Sequence, residues 1–448
     1  MSKTENTILK GNIFSALIKF AVPLMLAILL QALYGAVDLI VVGKFGDTSS
    51  VSAVANGSQI MQTMTGIITG LTMGVTVLVG RYVGARDDER AAKTVGGMVK
   101  LFAVVAVILT IAMTLLARQI ATIMSVPAEA MDKTVTYLRI CGGGTVFIVA
   151  FNVISGLFRG LGNSKSPLLF IFIACCVNVV LDLLLVGVFK MDAAGAAMAT
   201  VLAQAVSVAF SLWKIRKNGL PFEVKKRHFK DTGFAQKNIL KTGLPISIQE
   251  SLVSTSFLII MSIINGISLV ASASIGIAEK LFLFLAIVPM SFMSALSAFV
   301  AQNVGAGQEA RAIKSVRIAM LMSFCFGVGM FLLTYFKGDL LASIFENNPL
   351  VIASTKDYLR GVSSEYLIIS LIFCFLGYFN GIGKTGIVLF EGVVSSFVFR
   401  IPLSYYFSHL PETDLFTIGL AVPLSAAASL ILCAVYFIYI RKKRMREL

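Results

Sequence analysis

Leu168-Leu-Phe-Ile-Phe-Ile-Ala-Cys-Cys-Val-Asn178-Val-Val-Leu-Asp182-Leu-Leu-Leu-Val-Gly-Val188 carries one charge, Asp182, in twenty-one residues. At 1.5 Å rise per residue, about 20 residues cross the ~30 Å hydrocarbon core of a bilayer. Backbone in lipid must satisfy its own hydrogen bonds, which leaves helix or closed barrel. An unbroken apolar run with no period of two is a helix.

The pattern recurs along the chain. Ile13–Leu33 carries one charge, Lys19, and Leu101–Ala117, Leu252–Ala278, Leu281–Gln308 and Ala319–Phe336 carry none. Over all 448 residues 57% are hydrophobic and 14% charged, against about 25% charged in soluble domains. Spans are expected near 14–42, 52–80, 95–117, 135–158, 167–188, 193–215, 239–264, 270–302, 314–336, 357–380, 386–408 and 415–440. No cleavable signal is visible ahead of the first. The six cysteines lie in apolar stretches without a CxxC pair. They read as small buried hydrophobes, with neither a disulfide framework nor a metal site.

A net charge of +15 raises the possibility of nucleic-acid binding, and the placement of the charge excludes it. Basic residues crowd every second loop: Lys3 and Lys10, Arg81 to Lys93, Arg159 and Lys165, Lys214 to Lys241, Arg311 to Arg317, Lys384, and Arg441 to Arg446. The alternate loops hold scattered lysines (Lys44, Lys133, Lys190, Lys337 and Lys356) mixed with Asp47, Asp132, Asp192, Asp339, Glu346, Glu412 and Asp414. This is the positive-inside rule, and it places both termini in the cytoplasm. Anionic membrane lipid is the expected partner of the basic face.

The chain repeats itself. Val83-Gly84-Ala85 recurs as Val304-Gly305-Ala306, a shift of 221 residues. The same shift pairs Arg90 with Arg311, Tyr137-Leu138-Arg139 with Tyr358-Leu359-Arg360, and Gly156, Phe158, Gly160 and Gly162 with Gly377, Phe379, Gly381 and Gly383. Pro23 and Pro245 match at 222. The expected architecture is an all-α membrane protein of about twelve helices in two six-helix lobes, 1–213 and 239–448, joined by a basic cytoplasmic linker at 214–238. Six spans per half make the repeat parallel, with the lobes facing a central cavity suited to alternating access.

Acids inside apolar spans are expensive and point to function. Gln31, Tyr34 and Asp38 share one face of the first span, and Asn178 and Asp182 share one face of the fifth. Thr200 of the sixth can add a hydroxyl. Two carboxylates in low dielectric raise each other's proton affinity, so at least one is expected to hold a proton. The same oxygens suit sodium, so H+ and Na+ both stay open as coupling ion. Pro23 breaks a helix hydrogen bond in the first span and is a candidate hinge. Glu250, Glu279, Glu391 and Arg400 are further charges inside spans. Glu250 and Glu391 are candidates for lining the second lobe's cavity. Arg400 is expected to pair with Glu391, with a carbonyl, or with a residue of another helix.

Enzyme motifs fail. Gly381-Ile-Gly383-Lys384-Thr385 resembles the end of a phosphate loop, but Tyr378 stands where its first glycine is required. No HExxH or GxSxG occurs, so no enzymatic activity and no cofactor is expected.

Four stretches together resemble the multidrug and toxic compound extrusion (MATE) family, in its bacterial multidrug-exporting branch. They are Asp38-Leu-Ile-Val-Val-Gly43-Lys-Phe-Gly46, Arg159-Gly160-Leu-Gly162-Asn-Ser-Lys165-Ser-Pro167, Asn178-Val-Val-Leu-Asp182 and Arg400-Ile-Pro402-Leu. The likeness runs from about Ile13 to Arg441. It implies export of amphiphilic, often cationic drugs in exchange for H+ or Na+, from the bacterial cytoplasmic membrane, by a chain taken as a monomer. It also implies an ion site at Asp38, Asn178, Asp182 and Thr200, a bending proline at Pro23, and a drug cavity touched by Gln31, Tyr34 and Asn152. Where some members carry acids in the seventh and tenth spans, this chain has Val253 and Ile369, with Glu250 one turn from the first. The alternatives are a lipid-linked oligosaccharide flippase of similar two-lobe fold, whose cavity is expected to be cationic, and a channel or membrane receptor, which needs no paired acids and no repeat.

Overall fold

The computed structural model describes residues 8–265, 267–411 and 413–447. Lys3, Glu412 and the side chains of Arg444 and Arg446, all part of the charge pattern above, lie outside the described residues and side chains. Among the described residues the chain is helical throughout. The first half holds α1 (Ile13–Phe45), α2 (Thr48–Gly84), α3 (Asp88–Leu115), a short α4 (Ala117–Ile123), α5 (Ala128–Gly143), α6 (Thr145–Gly160), α7 (Lys165–Asp182) and α8 (Asp192–Asn218). The second holds α9 (Gly233–Asn265), α10 (Leu269–Leu285), α11 (Ile287–Gly305), α12 (Glu309–Phe336), α13 (Gly338–Ala342), α14 (Pro349–Val362), α15 (Glu365–Gly381), α16 (Thr385–Val393), α17 (Ile401–Ser408), α18 (Leu415–Gly419) and α19 (Ala421–Glu447).

Among the described residues ten helices are long and apolar enough to cross a bilayer, and there are up to twelve spans with each of two bent pairs taken as one. The bends fall within the expected fourth and tenth spans, 135–158 and 357–380. α5 and α6 meet at 54°, and α14 and α15 at 49°. The first bend follows Gly142-Gly143-Gly144 and the second Ser363-Ser364, residues that favour helix ends over helix interiors. Helix extends into both ends of the basic stretch between the halves. α8 runs through Lys217 and α9 begins at Gly233, because lysine and arginine are good helix formers and suit a helix C-terminus.

Two spans change pitch. α7 continues as a π-turn over Leu183–Val188, directly after Asp182. α16 continues as a π-turn over Val394–Arg400 before α17. α1 runs unbroken through Pro23, and α9 through Pro245.

The helices pack as two compact units. The first holds Val22–Ser247, the segment ending at Gly11, and Ala301–Gly307; the second holds Asn12–Ala21, Ile248–Val300 and Gln308 onward. α2 is the buried core of the first unit. Gly156 and Gly160 of α6 let it lie directly on Thr72 and Thr76, and Thr76 Oγ1 donates to the Gly156 carbonyl at 2.9 Å. In the same unit the ends of α2 and α11 cross backbone to backbone. Gly84 lies against the main chain of Gln302, and Gly305 against that of Arg81, the same contact read from either repeat. Gln302 Nε2 adds a 2.8 Å bond to the Gly160 carbonyl.

At the sparsely charged ends Lys133 Nζ reaches both Asp47 oxygens and Ser50 Oγ at 2.7 Å and Asp192 at 3.6 Å. Asp47 also caps α2 through the Ser50 amide at 2.7 Å. The ammonium beside it holds the Asp47 carboxyl well below the usual carboxylate range.

The cysteines correct one expectation. Cys141, Cys374 and Cys433 are buried, but Cys176 and Cys325 are exposed on their helices. A lipid-facing position is as apolar as a core position, so hydropathy alone does not separate them.

Candidate functional site

Asp38 sits seven residues before the end of α1 and is only 2% exposed, while Asn178 and Asp182 of α7 are fully buried. Thr200 of α8 donates its hydroxyl to Asp38 Oδ2, 3.3 Å away. Tyr34, one turn before Asp38, donates its hydroxyl to the Thr200 carbonyl at 3.3 Å. Asn178 and Asp182 both lie beside the Asp38 carboxyl. The three helices therefore bring together the four residues predicted from the sequence, all inside the first unit.

Asp38 Oδ1, both Asp182 oxygens and both amide atoms of Asn178 are buried without a hydrogen-bond partner among the described residues. Native proteins rarely leave such buried polar atoms unsatisfied. The set offers oxygen ligands with neither thiolate nor imidazole, which fits H+ or a hard monovalent cation. Two carboxylates this deep cannot both stay ionised without such a partner.

The other predicted residues are more dispersed. Gln31 is exposed, one turn before Tyr34. Asn152 of α6 is buried, accepts from Thr69 Oγ1 at 3.3 Å and donates to the Ile148 carbonyl at 2.8 Å. An apolar groove of about 410 Å³ lies between Leu26–Leu30 of α1 and Lys165–Phe172 of α7, and neither Gln31, Tyr34 nor Asn152 lines it. Glu250 is half-buried in α9, without an ion-pair partner among the described residues.

Arg400 pairs not with Glu391 but with Glu365, Nη2 to Oε1 at 3.4 Å, both side chains buried. Its Nε donates to Ser425 Oγ at 3.4 Å and its guanidinium lies 5.2 Å from the Phe257 ring centre. Sequence reasoning passed over Glu365 because it follows the charged Lys356–Arg360 stretch and reads as a helix end. The available signal was its place in the repeat, where an acid replaces Gly144.

Comparison with known proteins gives one consistent result. The MatE family profile matches residues 23–184 and again 245–406. "Probable multidrug resistance protein YpnP" of Bacillus subtilis (strain 168) is 27% identical over 98% of this chain and 97% of its own length. "Multidrug export protein MepA" of Staphylococcus saprophyticus is 22% identical over 86% of each. Among solved structures, one described as the outward-facing conformation of a multidrug resistance MATE family transporter superposes with a TM-score of 0.92 at 20% identity, covering all of both chains. A MOP superfamily transporter from Pyrococcus furiosus superposes at 0.91 and 21%, covering all of this chain and 98% of its own. With two family matches in register with the internal repeat, and a twelve-span helical fold that these structures share, the chain belongs to the MatE family.

Proposed function

We propose that the protein is a secondary multidrug exporter. It expels amphiphilic or cationic compounds across the bacterial cytoplasmic membrane in exchange for H+ or Na+, by alternating access, as a monomer with both termini in the cytoplasm. The observation that carries this reading is the buried quartet of Asp38, Asn178, Asp182 and Thr200, whose unsatisfied oxygens suit a coupling ion. The names of the relatives, multidrug resistance and multidrug export proteins, support the substrate class. Residues 1–213 and 239–448 act as the two lobes, and the basic 214–238 segment faces anionic lipid. Pro23 serves as the hinge of α1, and Gln31, Tyr34, Asn152 and Glu250 contact the drug.

In this cycle the ion and the drug compete. Taking up a proton or sodium ion removes one negative charge from the Asp38–Asp182 pair, and releasing it restores that charge and favours a cationic drug. The test is export of a fluorescent cationic dye from vesicles, comparing wild type with Asp38→Asn and Asp182→Asn, with and without sodium and a protonophore. Loss in both variants with protonophore sensitivity supports H+ coupling, and a sodium requirement changes the ion but keeps the site. Unaltered export in both variants removes the carboxylate mechanism.

A further inference from the structure

The second unit buries its own charges differently. Arg400 donates to Ser425, and Ser429 donates its hydroxyl to Glu391 Oε1. Ser425 and Ser429 are one turn apart on one face of α19, where such neighbours stand about 5–6 Å apart. The guanidinium and the Glu391 carboxyl are thus held against adjacent turns of the same helix. Arg400 is already bonded to Glu365, and Glu391 is only 5% exposed. Two buried carboxylates share one guanidinium, which leaves one negative charge in surplus. Such a charge is expensive in a membrane interior unless something neutralises it. Among the described residues the groups that act on Glu391 are Ser429 and Cys433 of α19 and Arg400 of the same span, and Gln249 of α9 lies against the adjacent Gly392. Glu365, Tyr358 and Tyr366 stand near Arg400, and Glu279 of α10 is near Tyr358. One carboxylate and one hydroxyl supply too few oxygens to strip the hydration shell from an alkali cation, whereas a proton needs one.

We propose that Glu391 is a proton-binding position of the second unit, with Arg400 as a counter-cation that moves between two acids. With Glu391 protonated, Arg400 pairs with Glu365. When the O–H bond at Glu391 breaks and the proton leaves, the guanidinium shifts one helical turn to the new carboxylate. Glu365, left without its counter-charge, then forms an O–H bond with the next proton. In each resting state one of the two acids holds a proton and the other is paired with Arg400, so the position of Arg400 records which acid has it. The use of this site in transport rests on the exporter reading; the presence of the proton does not.

The proton is read directly by infrared spectroscopy of the purified protein in liposomes, through the carbonyl band of protonated carboxyl groups. At neutral pH, Glu391→Gln is expected to lose one such band. Ser429→Ala keeps the band at a shifted frequency, since it removes only the hydroxyl that bonds the acid. Arg400→Gln gains a band, from Glu365. Asp38→Asn leaves the Glu391 band in place. An unchanged band pattern in Glu391→Gln, or a band indifferent to Ser429→Ala, overturns the proposal even if Arg400→Gln does not fold. In the same liposomes dye export is measured against pH. An export profile of Glu391→Gln that superimposes on wild type also overturns a transport role for the site. Absence of export by wild type instead sinks the exporter reading and leaves the infrared result standing.

Discussion

Thr200 Oγ1 donates to Asp38 Oδ2 across 3.3 Å, so α8 holds the carboxyl of α1 in place. Hydrogen bonds between membrane helices contribute about 0.6 to 1.7 kcal/mol. Thr200→Val removes this one with little change of shape. A several-fold fall in dye export is expected, with a displaced pH profile, and Thr200→Ser should restore both. A Thr200→Val profile identical to wild type would show that the hydroxyl does not bear on the ion site.

Tyr34 is bonded differently, to a carbonyl that keeps its place in the helix ladder. Tyr34→Phe keeps the ring that contacts the drug and leaves no charged group unpaired, so the expected loss is about 0.5 kcal/mol and export should stay close to wild type. Abolished export in Tyr34→Phe would assign the hydroxyl a direct part in handling the ion or the drug.

Gly84 and Gly305 have main chain where a Cβ would stand, whereas nothing lies within 4 Å of that position at Gly66 of the same α2. Gly84→Ala and Gly305→Ala should each destabilise the fold by about 1–3 kcal/mol through overpacking, seen as a lower Tm in detergent. Gly66→Ala should be neutral or slightly stabilising, because alanine favours helix. Equal Tm values for Gly84→Ala and Gly66→Ala would contradict the close crossing.

The Asp47–Lys133 contact has a defined pH signature. Its ammonium lowers the Asp47 carboxyl in the folded protein, so the unfolded chain binds that proton more readily. The contribution is therefore complete above the ordinary aspartate value of about 3.9 and fades as pH falls from there toward the depressed folded value. The Tm advantage of wild type over Lys133→Met should be constant from neutral pH to about 5 and shrink below about 4. An advantage that grows on acidification would reverse the sign of this argument.

The twelve spans and their doubling were legible because charge is so strongly excluded from lipid that the gaps between charges mark the helices. The polar cluster of Asp38, Asn178 and Asp182 stood out for the same reason, since each is an anomaly in an apolar run, whereas Thr200 offered only a hydroxyl that could join them. The bends after Gly144 and Ser364 were not legible, because a bent span and a straight one have the same hydropathy. Glu365 was missed because its partner Arg400 lies 35 residues away, a separation no local pattern encodes. Exposure of Cys176 and Cys325 was invisible because lipid and core accept the same side chains.

The π-turn at Val394–Arg400 changes how the two halves correspond. A π-turn accommodates one extra residue, and each α-helical residue turns the chain by about 100°. Under the shift of 221 the counterparts of Asn178 and Asp182 are Phe399 and Leu403, but Phe399 is exposed. Counting one residue further gives Arg400 and Ser404, both buried. The same angular slot thus carries an amide and an acid in one copy, and a guanidinium and a hydroxyl in the other. A single-residue phase slip was enough to give one ancestral helix face two opposite electrostatic characters.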